Sequence, residues 1–559
     1  MRVRLVRFFI ILVPGILSLA LLPFPSRRGF SGPAPLSSHP ATPTASSAGV
    51  HLTSALTVRA SVEADLEVEE LRRDLRTILT STGNRNGRWS VLAVSMDQGD
   101  TLLALNVREP MVPASNMKVL TTAAALYALG PDFRYTTFLL TDGQQRGEEL
   151  DGDLILYGTG DPTLSDRFFQ GETAALDTLA GMIRERGIRE IRGDLVIDGS
   201  YFQGPEIHPE WSPKDLNDPF AAPVAAVIFN ENLVTVRVEA SRTVGFPPLI
   251  HAMPEGSGIP VLNTAITAPG GTRPRVWLFR ETPWDPIGIE GEIPVGGRDV
   301  WRELPVPDPL VFTGRILRSV LKERGIHVSG HVRVLRNPSA SVLPPPDLAG
   351  DPGSSPAPVI LAVHESPPLL DILTVVNKES NNLLAESVAR TLGRLVMGDG
   401  SFEGGMAAVA AFLTSRAGVP RHEFNLRDGS GLSPENRISA GALVQVLTFM
   451  AESPLWDDFW STLPEAGVRR ELRRMGAGPA ARNLRAKTGT MRGVSALSGM
   501  VRTRSGERVL FSILSNEVSS EYRAKRAEDQ LGIRLASLSR ASNRSLPQKA
   551  VSELVGGSN

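Results

Sequence analysis

Apolar positions first become regular near Ala64, where Leu66, Leu71, Leu75, Ile78 and Leu79 recur at helical spacing and Thr82-Gly83-Asn84 supplies the stop. Two short runs follow, Ser90 to Ser95 and Thr101 to Asn106, with strand patterning around Asp97-Gln98-Gly99-Asp100, which predicts a hairpin. Pro113-Ala114-Ser115 then opens an alanine- and leucine-rich helix that Gly130-Pro131 ends after Leu129. From about Thr141 the texture changes to short strands at Leu154 to Tyr157, Leu195 to Asp198, Leu233 to Val238, Val276 to Phe279 and Val328 to Leu335. Helical spacing occurs in this region at Ala174 to Arg186 and Phe312 to Arg324, so one or two α+β modules are expected there. Helices dominate again from Leu369 to about Leu395, Glu403 to Ala417 and Ile438 to Glu452. Sheet patterning returns at Asn483 to Thr488, Ala496 to Val501 and Arg508 to Leu514, before a closing helix over Ser520 to Leu538.

The economical arrangement is one α+β domain split by a long insertion: residues 64–142 and 359–539 form a sheet covered by helices with a helical cluster beside it, and residues 143–336 form the insert. A Pro/Gly/Ser-rich linker over 337–358 marks the exit from the insert, and residues 540–559 read as a loose polar tail. At the other end Arg2, Arg4 and Arg7 precede an apolar stretch from Phe8 to Phe24, the pattern of an export signal peptide or an N-terminal membrane anchor over residues 1–24. The segment 25–63 that follows starts as a Pro/Ser/Ala/Thr-rich linker unsuited to compact folding. An exported protein of the periplasm or cell envelope is therefore expected.

Composition narrows the chemistry. Of 559 residues 42% are apolar, enough for more than one core. The formal net charge of -1 gives no electrostatic footprint for nucleic acid. With no cysteine, thiol nucleophiles, disulfides and cysteine-ligated metals are excluded, and the eight histidines, His208, His251 and His364 among them, are scattered without ligand spacing. No cofactor or metal is expected, and any nucleophile must be oxygen or nitrogen.

Ser115 and Lys118 lie three apart at the start of a predicted helix, so an amine can reach a hydroxyl and, with its pKa lowered by burial, take its proton. The helix start adds backbone N–H groups suited to an oxyanion. Alone, Ser-x-x-Lys is most often an ordinary solvated pair. Two later segments change that: Ser380-Asn381-Asn382 between helical stretches, and Lys487-Thr488-Gly489-Thr490 at the end of a strand-like stretch, where the glycine lets a substrate backbone come close.

In this order, the three motifs form the signature of penicillin-binding proteins and class A β-lactamases, with Asn381 where that signature has Asp. From Ala64 to Leu538 the chain resembles the penicillin-binding D-alanyl-D-alanine carboxypeptidases and endopeptidases of low-molecular-mass class C. Four further segments carry the likeness: Leu150 to Leu154 with Gly158 to Leu164; Trp211, Asp215 and Ala222-Pro223 with Asn230 and Asn232; Asp428 to Ser433; and Leu463 to Gly467. The long interval between Ser115 and Ser380 also suits this type.

The resemblance implies the penicillin-binding fold and a serine-type D-Ala-D-Ala carboxypeptidase, with endopeptidase action on cross-links as an extension. Peptidoglycan stem peptides would be its substrates and β-lactams its covalent inhibitors. By the same resemblance Ser115 attacks, Lys118 is its base, Ser380 relays a proton, and Asn382 holds the substrate amide. Lys487 and Thr488 meet the substrate carboxylate, while backbone N–H groups of Ser115 and Thr490 form the oxyanion hole. Asp215, in the insert, would meet the amine of the stem-peptide diamino acid. Pro434 and Arg492 depart from the family pattern beside the substrate and leave fine specificity open. The alternatives are a β-lactamase or esterase on the same core, and a non-catalytic wall-binding protein.

Overall fold

The computed structural model describes residues 66–80, 87–343 and 358–540, which lie within one compact unit, Val58–Asn559. The segments read as export signal, first linker and most of the second linker and tail fall outside the described residues. Among the described residues no helix is long and apolar enough to cross a membrane.

The part of the chain outside the insert is built on a five-stranded antiparallel sheet. Its strands are β1 (Arg88–Ser95), β2 (Thr101–Leu105), β3 (Arg485–Met491), β4 (Val494–Arg502) and β5 (Arg508–Asn516), ordered β2-β1-β5-β4-β3. The first hairpin thus pairs with the last strand, closing a sheet across about four hundred residues of intervening chain. One face packs against helix α1 over residues 66–80 and the closing helix α7 (Glu521–Ala536), through Leu71, Leu75, Phe511, Leu531 and Leu535. Arg534 Nε joins the two helices by donating to Asp74 Oδ2 at 2.8 Å.

The opposite face carries the helical cluster. Its centre is α2 (Met117–Leu129), whose small and apolar residues Met117 to Leu126 are all buried, as the periodicity requires of a helix enclosed on every side. Around it lie α3 (Leu369–Lys378), α4 (Asn382–Leu392), α5 (Phe402–Ser415) and α6 (Ala440–Ala451). Each fully buried leucine here stabilises the fold by about 1.5–3 kcal/mol. The helical stretch expected from Leu369 to Leu395 breaks into α3 and α4 at Ser380, whose φ of 58° no helix accommodates.

The insert is an α/β module. Val332–Leu335, Leu195–Asp198 and Leu154–Tyr157 pair in parallel, with the helices Ala174–Glu185 and Pro309–Glu323 in the crossovers. Thr136–Thr141 and Val359–Glu365 complete this sheet antiparallel, so its pairing runs past both boundaries read from the sequence. Two smaller sheets, built from residues 233–305, extend the same core.

Three expectations are corrected. Val328 to Leu335 is not one strand: His327–Val328 and Val332–Leu335 join different sheets, with the break at Ser329-Gly330, where a side chain on Gly330 would meet Asp194 Oδ1 and Gly193 O at 2.4 Å. The strand begun at Asn483 runs instead from Arg485 to Met491, so Lys487-Thr488-Gly489 sits in its interior rather than at its end. Arg540, the first residue of the supposed loose tail, is held by Asp100 at 2.7 Å and Glu507 at 2.5 Å.

Candidate active site

Ser115 occupies a single 3-10 turn, Ala114–Asn116, directly ahead of α2. The turn is strained: Ala114 adopts φ 46°, a left-handed conformation costing on the order of 1 kcal/mol or more for a residue with a side chain. Gly431 braces it, since its own φ of 84° and a distance of 2.0 Å from its hypothetical Cβ to Ala114 O admit only glycine. The nucleophile candidate is therefore pinned by the Asp428-Gly429-Ser430-Gly431 loop as well as by its own helix.

The three motifs converge. Lys118 Nζ lies 3.1 Å from Ser115 Oγ, 2.6 Å from Asn382 Oδ1 and 2.7 Å from Ser430 O. The last two atoms only accept hydrogen bonds, so a neutral amine gives both its protons to them and turns its lone pair to the Ser115 hydroxyl. Lys118 is fully buried, and that burial lowers its pKa to about 7, with Glu386 and Asp428 pulling the other way. Lys487, equally buried, donates to Ser380 Oγ and to Thr488 O, each at 3.0 Å. Burial, then the Lys118 charge, holds its pKa well below the usual lysine range.

β3 is paired along its length with β4, and on its other side only its first residues are bridged, Arg485 opposite Glu465 with Ala486 N donating to Pro464 O at 2.9 Å, which leaves the edge from Lys487 onward without a strand partner among the described residues. It passes so near Ser115 that a Cβ on Gly489 would lie 2.7 Å from Pro113 O and 3.1 Å from Ser115 N. Thr488 is half-buried and Thr490 exposed on this strand. Such an edge can take an extended peptide as an added strand, its carbonyl beside the Ser115 and Thr490 backbone.

Asp215 stands apart from the cluster. It is half-buried in the turn that leads to Pro219–Ala221, and its pKa is raised by burial and then by Asp218. That turn does reach the centre, because Phe220 O accepts a hydrogen bond from Asn382 Nδ2 at 2.9 Å. Pro434 and Arg492 are both exposed.

The sequence reading overlooked Glu386. This fully buried carboxylate accepts from the backbone N–H groups of Gly429 at 2.9 Å and Ser430 at 2.7 Å, holding the loop whose carbonyl positions Lys118. Burial and then Asp428 push its pKa upward against the pull of its hydrogen bonds. Asp428 in turn accepts from Trp211 Nε1 in the insert at 2.9 Å and from Gly431 N at 2.8 Å. The signal was present: Asn382, Glu386 and Arg390 recur every four residues along a helix that is apolar apart from these, Ser387 and Thr391, a polar stripe on a buried face. Among the described residues no group of three His, Asp or Glu side chains is arranged to hold a metal.

The chain is similar to known proteins over most of its length. The family described as D-Ala-D-Ala carboxypeptidase 3 (S13) matches residues 71–538. The D-alanyl-D-alanine carboxypeptidase of Actinomadura sp. (strain R39) is 32% identical over 481 residues, 84% of each chain. DacB of Haemophilus influenzae, also a D-alanyl-D-alanine carboxypeptidase, is 27% identical over 456 residues, 78% of this chain and 87% of its own. The crystal structure of penicillin binding protein 4 (dacB) from H. influenzae superposes with a TM-score of 0.69 at 26% identity, covering 84% of this chain and 99% of that one. A complex of that protein with a β-lactam matches with a TM-score of 0.63.

Proposed function

Since this chain belongs to the D-Ala-D-Ala carboxypeptidase 3 (S13) family and is a serine-type D-alanyl-D-alanine carboxypeptidase of the class C penicillin-binding type, we propose that Ser115 is its nucleophile and Lys118 the base that activates it. The observation that carries this assignment is the amine of Lys118, buried and 3.1 Å from the Ser115 hydroxyl, with its other two partners both acceptors.

In acylation the Ser115 Oγ–H proton passes to Lys118 Nζ as Oγ bonds to the carbonyl carbon between the two terminal D-alanines. The developing oxyanion is met by the backbone N–H groups of Ser115 and Thr490, a type of contact worth about 10²-fold or more in rate. The C–N bond breaks, and the leaving amine takes a proton relayed through Ser380, which Lys487 holds at 3.0 Å. Asn382 orients the acyl-side amide, and Thr488 with Lys487 meets the terminal carboxylate. Water then attacks the ester, the proton path runs in reverse, and free Ser115 returns.

Peptidoglycan stem peptides supply the substrate, so the site of action is the cell envelope. β-Lactams enter the same chemistry, with Ser115 opening the strained amide to a slowly hydrolysed ester. Asp215, on the turn that touches Asn382 through Phe220, would meet the amine of the stem-peptide diamino acid; the contact of that turn with Asn382 supports this reading. Covalent labelling by a fluorescent penicillin, present in the native chain and absent in Ser115→Ala, is the expected result; a Ser115→Ala protein that still labels sinks the assignment. Mass spectrometry of muropeptides after incubation reports loss of one alanine for carboxypeptidase action and conversion of dimers to monomers for endopeptidase action.

A further inference from the structure

The segment bearing Ser380 is gripped from outside the catalytic half, at residues on both sides of it. Asn381 Nδ2 donates to Glu231 Oε2 at 2.7 Å, Asn382 Nδ2 donates to Phe220 O at 2.9 Å, and Arg167 Nη1 is paired with Glu379. Arg167 Nε also donates to the second oxygen of Glu231, at 2.5 Å. Arg167, Phe220 and Glu231 all belong to the insert, whereas Glu379 to Asn381 form the break between α3 and α4 and Asn382 opens α4.

The turn carrying Glu231 is itself constrained. Asn230, Glu231 and Asn232 all take positive φ, and the buried Asn232 fixes them by donating to Pro223 O at 2.8 Å and accepting from Phe229 N at 3.3 Å. Three consecutive left-handed residues persist only where their surroundings over-determine them. Here they present one carboxylate, only 14% exposed, to the second motif.

Helix capping does not account for the amide at position 381. Asn381 Oδ1 caps α4 by accepting from Leu384 N at 3.0 Å, and an aspartate would do so equally well. What an aspartate lacks is the donor to Glu231, and in its place two carboxylates would face one another.

We infer that Arg167 and Glu231 are positioning residues of the insert that latch Ser380 and Asn382 into place, and that Asn381 is an amide because it closes this latch. The insert thereby takes part in catalysis through the placement of the second motif. This rests on Ser380 and Asn382 having the roles proposed above.

The test is a hydrogen-bond reversal, read by the rate of Ser115 acylation by a fluorescent penicillin and by D-alanine release from a D-Ala-D-Ala-terminated peptide. Asn381→Asp is expected to slow acylation at least about tenfold, since displacements of about 1 Å at a reacting group can cost 10²-fold. Combined with Glu231→Gln, which restores a bond of opposite polarity while leaving an oxygen for Arg167, the rate should recover to within about threefold of native. Such rescue is not expected of a purely structural defect. An Asn381→Asp protein as fast as native, or a double variant as slow as the product of the two single effects, overturns the latch. Should Asn381→Asp fail to fold, Glu231→Ala replaces it: unchanged acylation refutes the latch, and a loss of at least about tenfold supports it. Native protein that labels while the latch variants behave independently defeats this inference alone; labelling of Ser115→Ala defeats the reading beneath it.

Discussion

Lys118 has to lose its proton before it can take one from Ser115, and its burial sets where that happens. With a pKa lowered to about 7, the amine is protonated and idle in acid and free above neutrality. Acylation should therefore rise about tenfold per pH unit below that point and level off above it. Stopped-flow labelling across pH 5–9 checks the profile; a rate flat from pH 5 to 7 contradicts the assignment of this base. Glu386 tunes the same group. Its charge raises the Lys118 pKa, as does that of Asp428, while Lys487 and Arg390 are the cations nearby. Glu386→Gln should shift the inflection to lower pH and reduce the plateau, because an amide cannot accept from both Gly429 N and Ser430 N. An inflection that stays in place removes Glu386 from the electrostatics of Lys118.

Among the elements, β3 packs closely against the turn that carries Ser115. A Cβ at Gly489 would meet Pro113 O at 2.7 Å, Asn116 Nδ2 at 3.0 Å and Ser115 N at 3.1 Å, so Gly489→Ala must push the strand away from the nucleophile. The strand stays paired to β4 along its whole length, so the fold should survive the change. Acylation is expected to fall at least about tenfold, with circular dichroism unchanged. Equal acylation rates would mean that the approach of β3 to Ser115 does not matter to the chemistry. Sequence periodicity located this strand and missed its length, because Thr488-Gly489-Thr490 are small or polar and carry no hydrophobic signal ahead of Met491. In contrast, the break at Ser380 was legible, since a Ser-Asn-Asn run interrupts an apolar stripe with residues that favour caps and turns.

Across the molecule, Arg390 ties the insert to the helical cluster. Its buried guanidinium donates to Gly400 O at 2.9 Å, Gln203 O at 2.7 Å, Val224 O at 2.7 Å and Pro205 O at 3.2 Å, and it sits 4.7 Å from the ring centroids of Phe202 and Phe402. Arg390→Ala leaves four carbonyls without this donor and should cost on the order of 3–5 kcal/mol in denaturant unfolding. A loss below about 1 kcal/mol would show that the insert is seated by its other contacts and does not depend on Arg390. The split-domain plan could be read from the chain because helical and strand periods alternate in long blocks. The extent of the insert's sheet could not, because Thr136–Thr141 and Val359–Glu365 pair with each other only after some two hundred residues fold between them.

The linear chain determined which chemistry was available. Serine, lysine and amide residues in three spaced motifs, without a single cysteine, left an oxygen nucleophile with an amine base. Local backbone geometry sets the spacing within each motif, but the reading needed all three motifs together and in order. Tertiary structure decided the rest: that Lys118 is fully buried beside Ser115, that Glu386 holds its carbonyl partner, and that the insert reaches the second motif through Phe220, Glu231 and Arg167. Burial and cross-chain hydrogen bonds depend on segments hundreds of residues apart, and no local pattern encodes which of them will meet.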